Sequence, residues 1–202
     1  DAGHAVVTVE ENRALIRVDV DKAEIVQEIG TDAEISHMVA VAPNHGLAFV
    51  ANIGSGSVTV IDLALGKSLG NFPTGEGAEG IALHPNGREI WVGNRAADSL
   101  SILDPTSLEI VATIACPGFP IRVAFTADGS RALVSAARSG EVVVFDTNGR
   151  REILRTSLDL RNAANAGERL FGDRFGTSPV PVGLVTSPDG KTAWVAATQA
   201  DV

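Results

Sequence analysis

Residues 37–63 read HMVAVAPNHGLAFVANIGSGSVTVIDL. Small and β-branched residues alternate through three short runs, and PNHG and GSG separate the runs with turn-forming residues. The stretch therefore reads as strand, turn, strand, turn, strand. It is also one copy of a repeat. Asp62 closes SVTVID, Asp104 closes SLSILD and Asp146 closes EVVVFD, 42 residues apart each time. Asp19 closes ALIRVD 43 residues before Asp62. The turn recurs as APNHG (42–46), HPNGR (84–88), TADGS (126–130) and SPDGK (187–191). After these turns come AFVAN, IWVGN, ALVSA and AWVAA, and the earliest copy of that strand is AVVTV at 5–9.

Each unit holds four candidate strands. In the copy starting at Gly80 they are GIALH, EIWVGN, SLSILD and IVATIA. Four-stranded antiparallel units of about 42 residues, repeated without intervening helices, predict an all-β fold of the β-propeller type. The third strands are apolar throughout, as sheets stacked face to face require. The repeat divides the chain into 1–36 (a unit lacking its first strand), 37–78, 79–120, 121–180 with an insertion at about 155–179, and 181–202 (the start of a further unit). Four to five blades of this kind make an incomplete ring with exposed strand edges. The expectation is a piece of a longer propeller; the alternative is an arc that closes by oligomerising.

The strands AFVAN and IWVGN, followed by SVTVID and SLSILD, resemble those of the YVTN-repeat β-propellers, a family of surface-layer and related repeat proteins. The stretch PVGLVTSPDGK (181–191) carries the same resemblance. The chain has no Tyr; Phe49, Trp91 and Trp194 stand at the aromatic position, and the motif's Asn persists as Asn52 and Asn94. The resemblance implies a propeller and a periplasmic, extracellular or cell-surface location with a leader removed, against a cytoplasmic alternative. It implies no single activity.

Composition narrows the partners. Lys plus Arg number 16 against 25 Asp plus Glu, a net charge of −9, which disfavours a phosphate backbone; no nucleic acid is expected. No apolar run approaches the roughly 18 to 20 residues of a membrane span. Cys116 is the single cysteine, so neither an internal disulfide nor a thiolate cage can form. There is no heme-attachment motif, phosphate loop or paired-His motif, so neither a cofactor nor a metal is expected.

First strands line a propeller's channel. At their starts lie His37, Glu79 and Arg122, polar groups on consecutive blades that are the candidates for a channel-mouth binding site. The insertion supplies Arg161, Arg169, Asp173 and Arg174 as a mixed-charge rim, and RNAANAGERLF (161–171) is a candidate helix within it. Asp19, Asp62, Asp104 and Asp146, with Asn52 and Asn94, are expected to cap their own turns. His45 and His84 are expected as surface turn residues. No catalytic residue is assigned. The function expected first is a non-enzymatic binding scaffold for a protein or small-molecule ligand. The alternative is a propeller enzyme or subunit, resembling lactonases or the large subunits of amine dehydrogenases or heme enzymes, with His37, Glu79 and Arg122 as acid, base and anion holder.

Overall fold

The computed structural model describes residues 3–158 and 172–198. Five antiparallel sheets follow one another along the chain. The first holds β1 (His4–Val9), β2 (Ala14–Asp19) and β3 (Glu24–Gly30). The second holds β4 (Ser36–Ala42), β5 (Leu47–Asn52), β6 (Ser57–Asp62) and β7 (Lys67–Pro73). The third holds β8 (Ala78–Leu83), β9 (Ile90–Asn94), β10 (Ser99–Leu103) and β11 (Ile110–Ala115). The fourth holds β12 (Pro120–Phe125), β13 (Arg131–Ala136), β14 (Glu141–Asp146) and β15 (Arg151–Ser157). The fifth pairs β16 (Pro181–Thr186) with β17 (Ala193–Ala197). This is the all-β propeller architecture that the repeat implies. One α-helical turn, α1 (Gly172–Phe175), precedes β16. The candidate helix at 161–171 lies outside the described residues. Among the described residues no helix is long and apolar enough to cross a membrane.

Successive sheets pack through their first two strands: β4 lies against β8, β8 against β12, and β12 against β16. The joints carry the core. Phe49, Val58, Val60, Ile81, Ile90 and Leu103 seal the second sheet against the third. Trp91, Ile102, Val134, Val143 and Phe145 seal the third against the fourth. Each large apolar side chain removed from water here contributes about 1.5–3 kcal/mol. The Trp91 ring meets Phe125 edge-on at 5.6 Å, and its indole N–H donates to Glu89 at 2.8 Å. The outermost strands β3, β7, β11 and β15 are largely exposed; Glu24 on β3, Lys67 on β7 and Arg151 and Glu152 on β15 are charges that blunt an edge.

The aspartates hold turns by accepting backbone N–H bonds. Asp19 takes Asp21 and Lys22, Asp62 takes Ala64 and Leu65, Asp104 takes Thr106 and Ser107, and Asp146 takes Gly149. Asn52 and Asn94 differ from that expectation. Both are fully buried at strand ends and bond side-chain hydroxyls rather than turn amides. Asn52 donates to Ser57 and Thr59 and accepts from Ser36; Asn94 donates to Ser99 and Ser101. A buried amide needs such partners. His84 also departs from its expectation. It is buried, its Nε2–H donates to the Gly129 carbonyl at 2.9 Å, and its Nδ1 accepts the Asn86 N–H. The turn carries the side chain inward under the next blade, where it meets the Phe125 ring.

Candidate functional site

Two backbone devices recur at the start of every first strand. The residue just before the strand is left-handed: Ile35, Gly77, Phe119 and Val180 have φ of +55°, +72°, +69° and +54°. Their carbonyls accept the N–H of Ile53, Arg95, Ala137 and Thr198 at 2.9–3.1 Å, which holds the unfavourable conformation in place. A β-bulge follows two residues later. Ser36 pairs with Asn52 and Met38 with Ala51, so His37 is left over. The same skip omits Glu79, Ile121 and Val182. A bulge frees one residue from the ladder and re-aims its side chain. In two consecutive blades the freed residue is ionisable.

His37, Glu79 and Arg122 meet. Glu79, only 7% exposed, accepts from Arg122 Nη1 at 3.0 Å on Oε1 and pairs with Arg95 on Oε2. His37 Nε2 lies 3.6 Å from Glu79 Oε1, and its Nδ1 bonds the Glu10 carboxylate. Gly80 makes the approach possible, since a Cβ there would sit 2.8 Å from the Ile121 carbonyl and 3.0 Å from the Arg122 Cα. Groups from the first four sheets thus converge at one end of the inner strands.

Glu10 and Arg95 have no place in the sequence-based candidates. Arg95 follows the end of β9, and the β8–β9 hairpin returns it beside Glu79; Glu10 stands at the same point after β1. Hairpin geometry applied at each blade would have found both. Next to this cluster, Phe119 lies beneath the guanidiniums of Arg95 and Arg138, at 5.2 and 4.5 Å, and its ring meets Phe175 of α1 at 5.7 Å. Asp173 and Arg174 are exposed on α1, Arg174 over the Phe175 ring. Arg161 and Arg169 lie outside the described residues.

The far end of the strands looks different. A cleft of about 600 Å³ runs between His84, Glu89, Asp128 and Arg150. Its polar groups serve the scaffold: Glu89 pairs with Arg150 at 2.8 Å, and the Asp128 carboxyl, bonded by the Thr126 hydroxyl and by Ser130, is held down at about 2. His45 donates through Nε2–H to the Gly87 carbonyl at 3.1 Å. Cys116 is buried, which pushes its thiol up to about 12 and removes it as a nucleophile. Among the described residues, no group of three or more His, Cys, Asp or Glu could hold a metal ion.

A four-sheet convergence at one end of a propeller can bind a ligand, and comparison with known proteins gives the chain's family. No curated protein matches the chain. Among solved structures, Kuenenia stuttgartiensis hydrazine synthase superposes with a TM-score of 0.80 at 19% identity, over 96% of this chain and 52% of that one. The likeness is one of fold, and this chain spans about half the length of that relative. The family model described as the cytochrome D1 heme domain matches residues 1–163, which include Glu10, His37, Glu79, Arg95 and Arg122. The chain belongs to the cytochrome D1 heme domain family.

Proposed function

We propose that this chain forms part of the propeller wall of a heme-dependent redox protein, with a heme-class group held at the mouth lined by His37, Glu79, Arg95 and Arg122. This is the enzyme-subunit reading rather than the non-enzymatic binding scaffold. The carrying observation is the convergence of ionisable side chains at the bulge positions of consecutive blades, in a chain of a heme-domain family.

The residues fit such a group. Iron ligation asks for an imidazole whose other nitrogen is tied to an acceptor. A carboxylate accepts, so Nδ1 is the donor to Glu10, and in the neutral imidazole Nε2 is then the nitrogen with the lone pair. Nε2 is 3.6 Å from Glu79, beyond a hydrogen bond, so it stays available. The edges of Arg122 and Arg95, about a quarter exposed, suit the carboxylates that a heme-class group carries. Glu79 fixes their positions and offsets one of their two charges. When bound, the group supplies one-electron and small-ligand chemistry at its iron. A lactonase-like hydrolysis is less well served, because Glu79, the only buried carboxylate at the mouth among the described residues, already has both oxygens on guanidiniums.

The test is a titration with hemin, followed by its Soret absorbance. We expect saturable binding with an imidazole-type spectrum, loss of that spectrum in H37A, and roughly tenfold weaker binding in E10Q. Absence of saturable binding, or an unchanged spectrum in H37A, would overturn the reading.

A further inference from the structure

The Phe119 corner is built in a way that the heme reading does not use. A bulky aromatic residue at φ +69° is strained, yet the conformation is fixed from three sides. Asp98 Oδ1 accepts the N–H of Phe119 at 2.8 Å and that of Gly118 at 3.2 Å. The Gly118 carbonyl accepts the Arg138 N–H at 2.9 Å. Gly118 must lack a side chain, since a Cβ would lie 2.4 Å from the Ser139 hydroxyl. The outcome is a ring that is 6% exposed, with Arg138 stacked on it and locked to the same loop by its backbone.

The electrostatics are one-sided. Arg95 shares this ring but is neutralised by Glu79. Arg138 is exposed and, among the described residues, has no carboxylate partner. Of the nearby acids, Asp98 is occupied with backbone N–H groups, and Asp173 sits on α1 beside Arg174. Stacking covers the face of a guanidinium and leaves its in-plane N–H donors pointing outward in a fixed fork. In a chain of net charge −9, a cation seated on an aromatic face at a channel mouth, with no carboxylate partner among the described residues, is a recognition device rather than a solubility one.

We propose that Arg138, oriented on the Phe119 ring, is the anchor of a binding site for a small free oxyanion at the mouth, distinct from the groups assigned to the heme and independent of whether heme is bound. Phe175 backs the platform from the insertion side. The ligand class is phosphate-like or carboxylate-like: a compact anion with two oxygens able to meet the guanidinium fork.

Inorganic phosphate is the probe, titrated at constant ionic strength against chloride while the Arg138 side-chain Nε–H resonance is followed by NMR. We expect a saturable shift centred on Arg138 and Phe119, about tenfold weaker binding in R138Q, and no change in R88Q on the far turn. F119G removes the ring at a backbone angle that suits glycine, so it should fold and bind several-fold more weakly. A non-saturating shift, or equal binding in R138Q, would overturn the proposal. So would displacement of phosphate by hemin, since the heme's own carboxylates would then be the occupant. The hemin titration of H37A reads a different residue, so either proposal can fail without the other.

Discussion

Arg122 Nη1 donates to Glu79 Oε1 at 3.0 Å across the joint between the third and fourth sheets, linking residues 43 apart in sequence. With Arg95 on the other oxygen, Glu79 is a buried anion between two cations, one from its own sheet and one from the next. The pair therefore sets the geometry of the mouth and ties adjacent blades together.

Removing the anion leaves two guanidiniums without a counter-charge in a half-buried place. We expect E79A to lose about 2–3 kcal/mol of stability in urea unfolding, at the low end for a broken buried pair because the arginines keep some contact with water. R122M, which keeps the stem and removes the charge, should cost less. An E79A protein as stable as the parent would show that the cluster contributes nothing to the joint.

His84 makes a second, purely structural test. Its ring bonds Gly129 and Asn86 and packs edge-on against Phe125 at 4.9 Å. H84A should destabilise by about 2 kcal/mol through the lost bonds and the cavity, with hemin binding unchanged. Weaker hemin binding in H84A would move the candidate site to the far end of the strands.

The turn aspartates predict a pH dependence. The Thr126 hydroxyl and Ser130 hold Asp128 at about 2, below its ordinary value of 3.8. A depressed folded-state value gives stability that is present above the unfolded pKa and is lost as pH falls through the folded one. Asp19, Asp104 and Asp189 are lowered in the same direction, by the Lys22, Thr106 and Ser187 hydrogen bonds respectively. Thermal midpoints should therefore drop between about pH 4 and pH 2, and D128N should flatten part of that fall. A D128N curve parallel to the parent's throughout that window would contradict the assignment.

Cys116 offers a probe of the core. With its thiol pushed up to about 12 by burial, a thiol reagent at pH 8 should react only as the protein unfolds. Rapid reaction of the folded protein would place the 116–119 loop in solvent, and with it the Phe119 platform.

The repeat was legible in the sequence because backbone constraints recur: Asp19, Asp62, Asp104 and Asp146 cap equivalent turns, and a turn must be built the same way each time. His37 and Glu79 were legible as polar residues at one repeat position, and Arg122 as a polar residue one place further along in the next blade. Glu10 and Arg95 were not, since their counterparts Ile53 and Ala137 are apolar and no pattern marks them. Nor does one residue type mark the left-handed turn throughout: Gly77 suits it, but Ile35 and Val180 are β-branched residues that ordinarily avoid it, and there tertiary hydrogen bonds impose it. The inward turn of His84 is hidden for a similar reason. The turn sequence fixes the backbone, whereas the neighbouring blade decides where the side chain goes.

The most direct measurement is amide NMR of the protein with one equivalent of paramagnetic hemin. We expect line broadening centred on His37, Glu79 and Arg122, fading toward the outer strands β7 and β11. Broadening centred on His45 or His84, or spread evenly over the surface, would contradict a heme-class site at the mouth.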